Sequence, residues 1–247
     1  MKYWRDVLSR DNQRAHVIWL NTVREGPSPL RDIEDTDLAG VRFSGGDLRF
    51  VTFRNCSFTD AGIEYSDVDN ATFIDCWAET SSLSHARFYD VRIQACRFQR
   101  TDFRSDRFPG ARISDSKLEH SAFGHGAFVD AVVSNTSFQG SGFPAAQIDR
   151  SRFANCDVRY ASLGGVPIAG RSFDTHFENC DFRSADFTDR RFSGTTFLRC
   201  KFAGVNGRPV LEGPVTMVEP DFSEAGDGSD VRDPEVLLGM WTRLGST

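Results

Sequence analysis

Residues 95–114 read ACRFQRTDFRSDRFPGARIS, and within them Phe98, Phe103, Phe108 and Ile113 recur at every fifth position. The same spacing runs outward in both directions, from Ile33 through Phe43, Phe53 and Phe58 to Ile168 and Phe173. Of the 29 positions in this train only Ala78 is small. A second train follows one residue out of phase: Phe177, Phe182, Phe187, Phe192, Phe197 and Phe202. A five-residue period fits neither a helix nor a flat strand, and an internal repeat decides the architecture.

Each large residue sits two positions after a smaller one, as Cys56 before Phe58, Ala86 before Phe88 and Ser121 before Phe123. In extended backbone, residues two apart point the same way. Both positions therefore face inward, and the other three, mostly Arg, Asp, Ser, Gln and Gly, face water. A corner every five residues gives four short faces, which close a square coil of 20 residues. The cysteines support that coil independently. Cys56, Cys76 and Cys96 are 20 apart, the column continues through Ser116, Thr136 and Cys156, and it resumes at Cys180 and Cys200. The step from Cys156 to Cys180 is 24, so the phase slip reads as a four-residue insertion. Gly164-Gly-Val-Pro-Ile-Ala-Gly170 has the Gly and Pro content of an irregular turn there, and a bulge is expected near 164–176.

Ala185-Asp-Phe187, Thr101-Asp-Phe103 and Cys180-Asp-Phe182 fit a motif of small residue, Asp or Asn, then Leu or Phe. On these residues the segment 31–206 resembles the pentapeptide-repeat proteins. Many repeats depart from the motif by carrying Arg at the second place, as Val41-Arg-Phe43 and Ala86-Arg-Phe88 do. The resemblance implies an all-β fold, a right-handed quadrilateral β-helix of about nine coils. Such a solenoid needs caps at both ends. Residues 1–30 are expected to form an N-terminal helical cap, with residues 2–24 helical in one or two pieces and ended by Gly26-Pro-Ser-Pro29. Residues 207–247 form an acidic tail ending in a helix at about 233–244. There Asp233 is the N-cap, Pro234 opens the first turn, and Val236, Leu237, Met240, Trp241 and Leu244 make an apolar face. That face is read as an end cap or a homodimer contact.

Net charge is −6, from 29 basic and 35 acidic residues. The repeat body carries 21 basic and 24 acidic groups and the tail after it three and eight, so the body is close to neutral. With no Lys/Arg-rich run, direct binding to nucleic acid is not expected. The N-terminus lacks the apolar core of a signal peptide and no segment is apolar enough to cross a bilayer, so a soluble, cytoplasmic protein is expected. The six cysteines contain no C-x-x-C and read as small buried hydrophobes rather than as a zinc site or disulfides. The five histidines lack any partner that would make one a general base. Gly124-His-Gly126 lacks the third glycine of a dinucleotide fingerprint. No catalytic residues, metal ligands or cofactor are expected.

Arg92, Arg112 and Arg152 fall on one outward column with Val132 between the last two. With Gly164, Gly165 and Pro167 of the expected bulge they are the candidate partner-binding residues, because stacked guanidinium groups grip an acidic partner or a phosphate backbone. The function expected is a non-enzymatic protein-interaction module. The resemblance supplies one alternative, a modulator of DNA gyrase or topoisomerase IV that mimics DNA, in antibiotic resistance or self-immunity. A second alternative is an enzyme or small-molecule binder with its site at a rod end.

Overall fold

The computed structural model of the protein describes residues 2–3, 32–42, 44–164 and 170–242. The chain winds as a parallel β-solenoid in which each coil hydrogen-bonds the next along four ladders. Face one is a ten-stranded sheet running from Asp32–Glu34 through Arg92–Gln94, Arg112–Ser114, Val132–Ser134 and Arg152–Ala154 to Val215–Val218. Face two is carried by Asp37, Ser57, Trp77, Arg97, Lys117, Ser137, Asp157, Asp181, Lys201 and Asp221. Face three runs from Arg42 through Ser162 to Asn206. Face four runs from Asp47 to Arg107 and on through the strands Ala127–Val129, Gln147–Asp149, Arg171–Phe173, Arg191–Ser193 and Val210–Leu211. The ladder on face two makes nine steps, which at about 4.8 Å each gives a rod about 40 Å long.

The corners explain the outward composition. At the last residue of each five the backbone turns through left-handed φ, for example 50° at Asn55, 54° at Asp115 and 57° at His125. Glycine, Asn and Asp reach this region most easily, and they recur at these corners. On the corner between faces one and two the side chains form a hydrogen-bonded column. Asn135 donates to Asp115 (2.9 Å), Asn155 to Asn135 and Asn179 to Asn155 (both 3.1 Å), and Arg199 to Asn179 (2.9 Å).

The core is one continuous cluster along the axis. Rings at equivalent positions stack coil on coil, as Phe103 on Phe123 at 4.9 Å and 2° and Phe123 on Phe143 at 4.9 Å and 9°. Rings on adjoining faces meet edge to face, as Phe53 and Phe58 do at 77°. Both geometries suit the aromatic quadrupole. The small inward residues do a second task. Their hydroxyl or thiol donates to a carbonyl one coil back, as Ser121 does to Phe98 (3.2 Å) and Cys56 to Ile33 (3.3 Å). Several also accept the backbone N–H of the coil below, as Ser116 does from Cys96 (3.1 Å). The six thiols are buried and unpaired. A hydrogen bond with Cys180 and then burial push the Cys156 thiol well up, which keeps it inert.

The step of the ladders is 20 up to Gly142–Ser162 and becomes 24 at Gln147–Arg171, Arg152–His176, Asp157–Asp181 and Ser162–Asp186. It then returns to 20, except for 19 between Arg191 and Val210. The extra residues thus lie between Ser162 and Arg171, on the corner between faces three and four. This corrects the place of Phe173 in the first train. Ser172, not Phe173, is the inward residue opposite Ile148. Phe173 points outward, with the guanidinium groups of Arg171 and Arg191 over its ring at 5.2 and 5.8 Å. The register had already changed before Phe173, so its five-residue distance from Ile168 carries no phase. Phe43, Ile168, Gly165 and Pro167 lie outside the described residues.

At the first coil, Lys2–Tyr3 form a short strand paired in parallel with Thr36–Asp37, where the sequence suggests helix. An uncovered ladder edge at Thr36 offers unpaired backbone groups that such a strand satisfies. The remainder of the expected helix, residues 4–24, lies outside the described residues. At the other end a helix spans Pro234–Thr242, with Asp233 accepting the Glu235 N–H at 2.9 Å as its N-cap. Trp241 is buried against Phe187 (5.9 Å, edge to face) and Phe192 (6.1 Å, stacked), and Leu238 packs on the same core. Val236, Leu237 and Met240 lie within this helix, and Leu244 lies outside the described residues.

Candidate functional site

Three features depart from the uniform repeat. The first is the root of the insertion. Arg190 occupies a small inward position yet is fully buried. Its stem fills the volume left by Ser172, where other coils place a large apolar residue. Its guanidinium donates to Ala146 O (2.9 Å), Leu163 O (3.4 Å), Arg171 O (2.5 Å) and Ser172 Oγ (2.8 and 3.1 Å). One side chain thus bridges three successive coils across the inserted residues. Burial pulls its pKa down to about 9, against the opposing pull of the Asp149 carboxylate. Asp149, itself buried, accepts two bonds from Arg171 Nε and Nη2 (3.0 and 2.8 Å). Gly164 is required beside this root, since a Cβ there would stand 2.7 Å from Thr188 O.

The second region is the outward cation surface. Many arginines are neutralised within their own face by an Asp two residues earlier. Arg49, Arg104, Arg159, Arg183 and Arg232 each fork onto Asp47, Asp102, Asp157, Asp181 and Asp230 at 2.5–2.7 Å. The hydrogen bond to Arg49 holds the Asp47 carboxyl below its ordinary value. Of the sequence candidates, Arg92 and Arg112 are exposed neighbours on face one. Val132 follows, 46% exposed, and Arg152 is paired to Glu178 at 2.5 Å. The structure therefore brings Arg92 and Arg112 together and leaves Arg152 apart. Around the adjoining corner stand Arg97 and Lys117, which sequence reasoning did not single out. Among the described residues, none of Arg92, Arg97, Arg112 and Lys117 has a carboxylate within ion-pair distance.

A third irregularity sits in the core. Asp106 also fills a small inward position and is fully buried. Its Oδ1 accepts the Ala86 N–H at 2.8 Å, and its Oδ2 has no partner. Burial pushes this carboxyl up to about 9, with the Asp102 charge adding to the rise. Arg190 and Asp106 carry a sequence signal that is easily missed, a charge two positions before a Phe where the repeat demands a small residue.

Residues 47–123, close to four consecutive coils of the rod just described, match the family model described as a pentapeptide repeat region. That stretch is a pentapeptide-repeat region. No curated protein matches the chain. Among solved structures it is similar to full-length QnrB1, a plasmid-mediated fluoroquinolone resistance protein. That match has 14% identity and a TM-score of 0.48, over 87% of this chain and 99% of QnrB1. It is also similar to HetL, a pentapeptide-repeat protein involved in heterocyst differentiation regulation in the cyanobacterium Nostoc sp. strain PCC 7120. There the identity is 11% and the TM-score 0.35, over 91% and 99% of the two chains. A pentapeptide-repeat protein of the Arabidopsis thaliana thylakoid lumen matches at 23% identity and a TM-score of 0.25, over 49% and 72%. Likeness at these levels carries no argument about partner or activity.

Proposed function

We propose that this protein is a non-catalytic protein-interaction module, working in the cytoplasm as a rigid, right-handed, four-sided rod. One observation carries the reading. The described inward positions are closed by packed side chains, so recognition falls to the outward surface, where unpaired cations gather on the edge between faces one and two. No described helix is long and apolar enough to cross a membrane. The C-terminal helix serves as the cap of the last coil, since Trp241 continues the aromatic stack of its own rod.

The test is affinity capture with the full chain and with R92E/R112E, both checked for native circular dichroism. A partner retained by the wild type, lost with the variant and rebound in purified form supports the module. Turnover of a substrate, or capture of no partner, refutes it; capture indifferent to the charge reversal places the contact on another face of the rod. Modulation of DNA gyrase or topoisomerase IV, with a C-terminal homodimer, is a second reading that rests on the family resemblance. A DNA mimic needs an acidic surface, and this edge is basic. A supercoiling assay with purified gyrase, with and without a fluoroquinolone, decides it: absence of any effect removes that reading.

A further inference from the structure

Trp77 stands on an outward ladder position of face two, paired with Ser57 below and Arg97 above. It is half-buried and borders a groove of about 470 Å³ lined also by Thr59, Asp75, Glu79, Ala95, Arg97 and Gln99, with Glu79 held in an ion pair by Arg100. The groove exists because of Ala95. The corner column of face one carries Asp75, Asp115, Asn135, Asn155 and Asn179 at the equivalent positions. Ala95 alone among these lacks a polar side chain to continue the column, and so it leaves a notch beside the indole. No hydrogen bond occupies the indole N–H among the described residues. Arg97 borders the notch, Arg92 lies across the corner in the same coil, and Arg112 and Lys117 repeat the pair one coil on, about 4.8 Å along the axis.

We propose that the notch beside Trp77 and these four cations dock an acidic segment of a protein partner. An apolar side chain of that segment sits against the indole, and its carboxylates meet Arg92, Arg97, Arg112 and Lys117. This rests on the interaction-module reading and deepens it by naming the partner's chemistry. Trp and Arg are the residues that anchor protein interfaces, and a pocket that takes one side chain is what an anchor needs. Charge decides between a polypeptide and a nucleic acid. The carboxylates of Asp75, Glu79, Asp115 and Glu119 stand among the cations, that of Glu79 already paired with Arg100. A continuous phosphate backbone would lie against them, whereas a peptide can space its acids to miss them. Four cations also fall short of the about six to ten phosphate contacts that strong nucleic-acid binders make.

The test uses the full chain with three labelled probes: a peptide alternating Glu with Leu and Phe, the same peptide with Gln for Glu, and a single-stranded oligothymidylate. Binding is read by anisotropy at low and high salt for wild type, W77A and R97E/K117E. These substitutions lie outside the core, and native circular dichroism of each variant confirms that the rod persists. The Glu peptide should bind wild type, weaken with salt, and lose about tenfold or more in affinity with either variant; the Gln peptide should not bind. Equal binding by the variants, failure of the Glu peptide to bind wild type, or tighter binding of the oligothymidylate overturns the proposal. If a captured partner is kept by both W77A and R97E/K117E, this surface is wrong and the module reading stands. If the wild type captures nothing, the module reading itself fails.

Discussion

Replacing Asp106 by serine should stabilise the rod, and the gain should grow with pH. In the native coil the Asp106 carboxyl titrates at about 9; in the unfolded chain it returns to about 3.9. The folded value is raised, so between these limits the native state keeps a proton that the unfolded state releases. Stability from this group is therefore highest below about pH 4, falls by about 1.4 kcal/mol per pH unit above it, and levels off near pH 9. At neutral pH the deficit is about 4 kcal/mol. Serine removes the carboxyl and keeps its one useful bond. In the same column Ser66 Oγ already accepts the Gly46 N–H at 3.2 Å, as Asp106 Oδ1 accepts that of Ala86. With some loss of packing, D106S should gain about 2–4 kcal/mol at neutral pH, a rise in Tm of about 10 °C. Thermal melts of both proteins at about pH 5, 6.5 and 8 measure it, with amide exchange at Ala86 as a local readout. A D106S no more stable than wild type at the highest pH would refute the reasoning. So would a difference that stays constant across the series.

Other consequences can be checked in parallel. R190A should cost about 3–5 kcal/mol, because the carbonyls of Leu163 and Arg171 lose a donor and a cavity opens over Ser172. Exchange protection should fall first at Leu163, Gly164 and Arg171, and R190M, which restores volume alone, should recover only part of it. W241A removes the aromatic that closes the last coil and should cost about 3–4 kcal/mol, with fraying seen by exchange at Phe187 and Phe192 before the middle of the rod. The six cysteines should react with a thiol reagent only on unfolding; rapid labelling of the native protein would contradict their burial.

The five-residue period was legible because inward packing leaves it little freedom: a coil with a polar residue at the central position loses its stack. The cysteine column exposed the 24-residue step for the same reason, since a thiol serves there as both filler and donor. Three details could not be read. Ser172 and Phe173 are adjacent, and nothing in their side chains says which faces inward; the backbone ladder to Ile148 and Asp149 decides. Arg190 looks like one more surface arginine until the void over Ser172 and the carbonyls around it are in place. Trp77 and Ala95 belong to different faces, and only the folded corner makes them neighbours.

The hydrogen-bonded corner column from Asp115 to Arg199 passes the insertion without a break, Asn155 meeting Asn179 at the same 3.1 Å that joins Asn135 to Asn155. Lengthening one coil is thus a local event, felt at the corner between faces three and four and along face four, and invisible at the corner between faces one and two. A chain built this way can grow in two independent manners, by copying whole turns or by elaborating one vertex, and neither disturbs the other. Most folds tie distant segments together and must adjust everywhere when one segment changes. Here a mutation that adds residues is judged only by the coils above and below it, which gives such a rod wide latitude to acquire new contacts while the interior away from those coils stays the same.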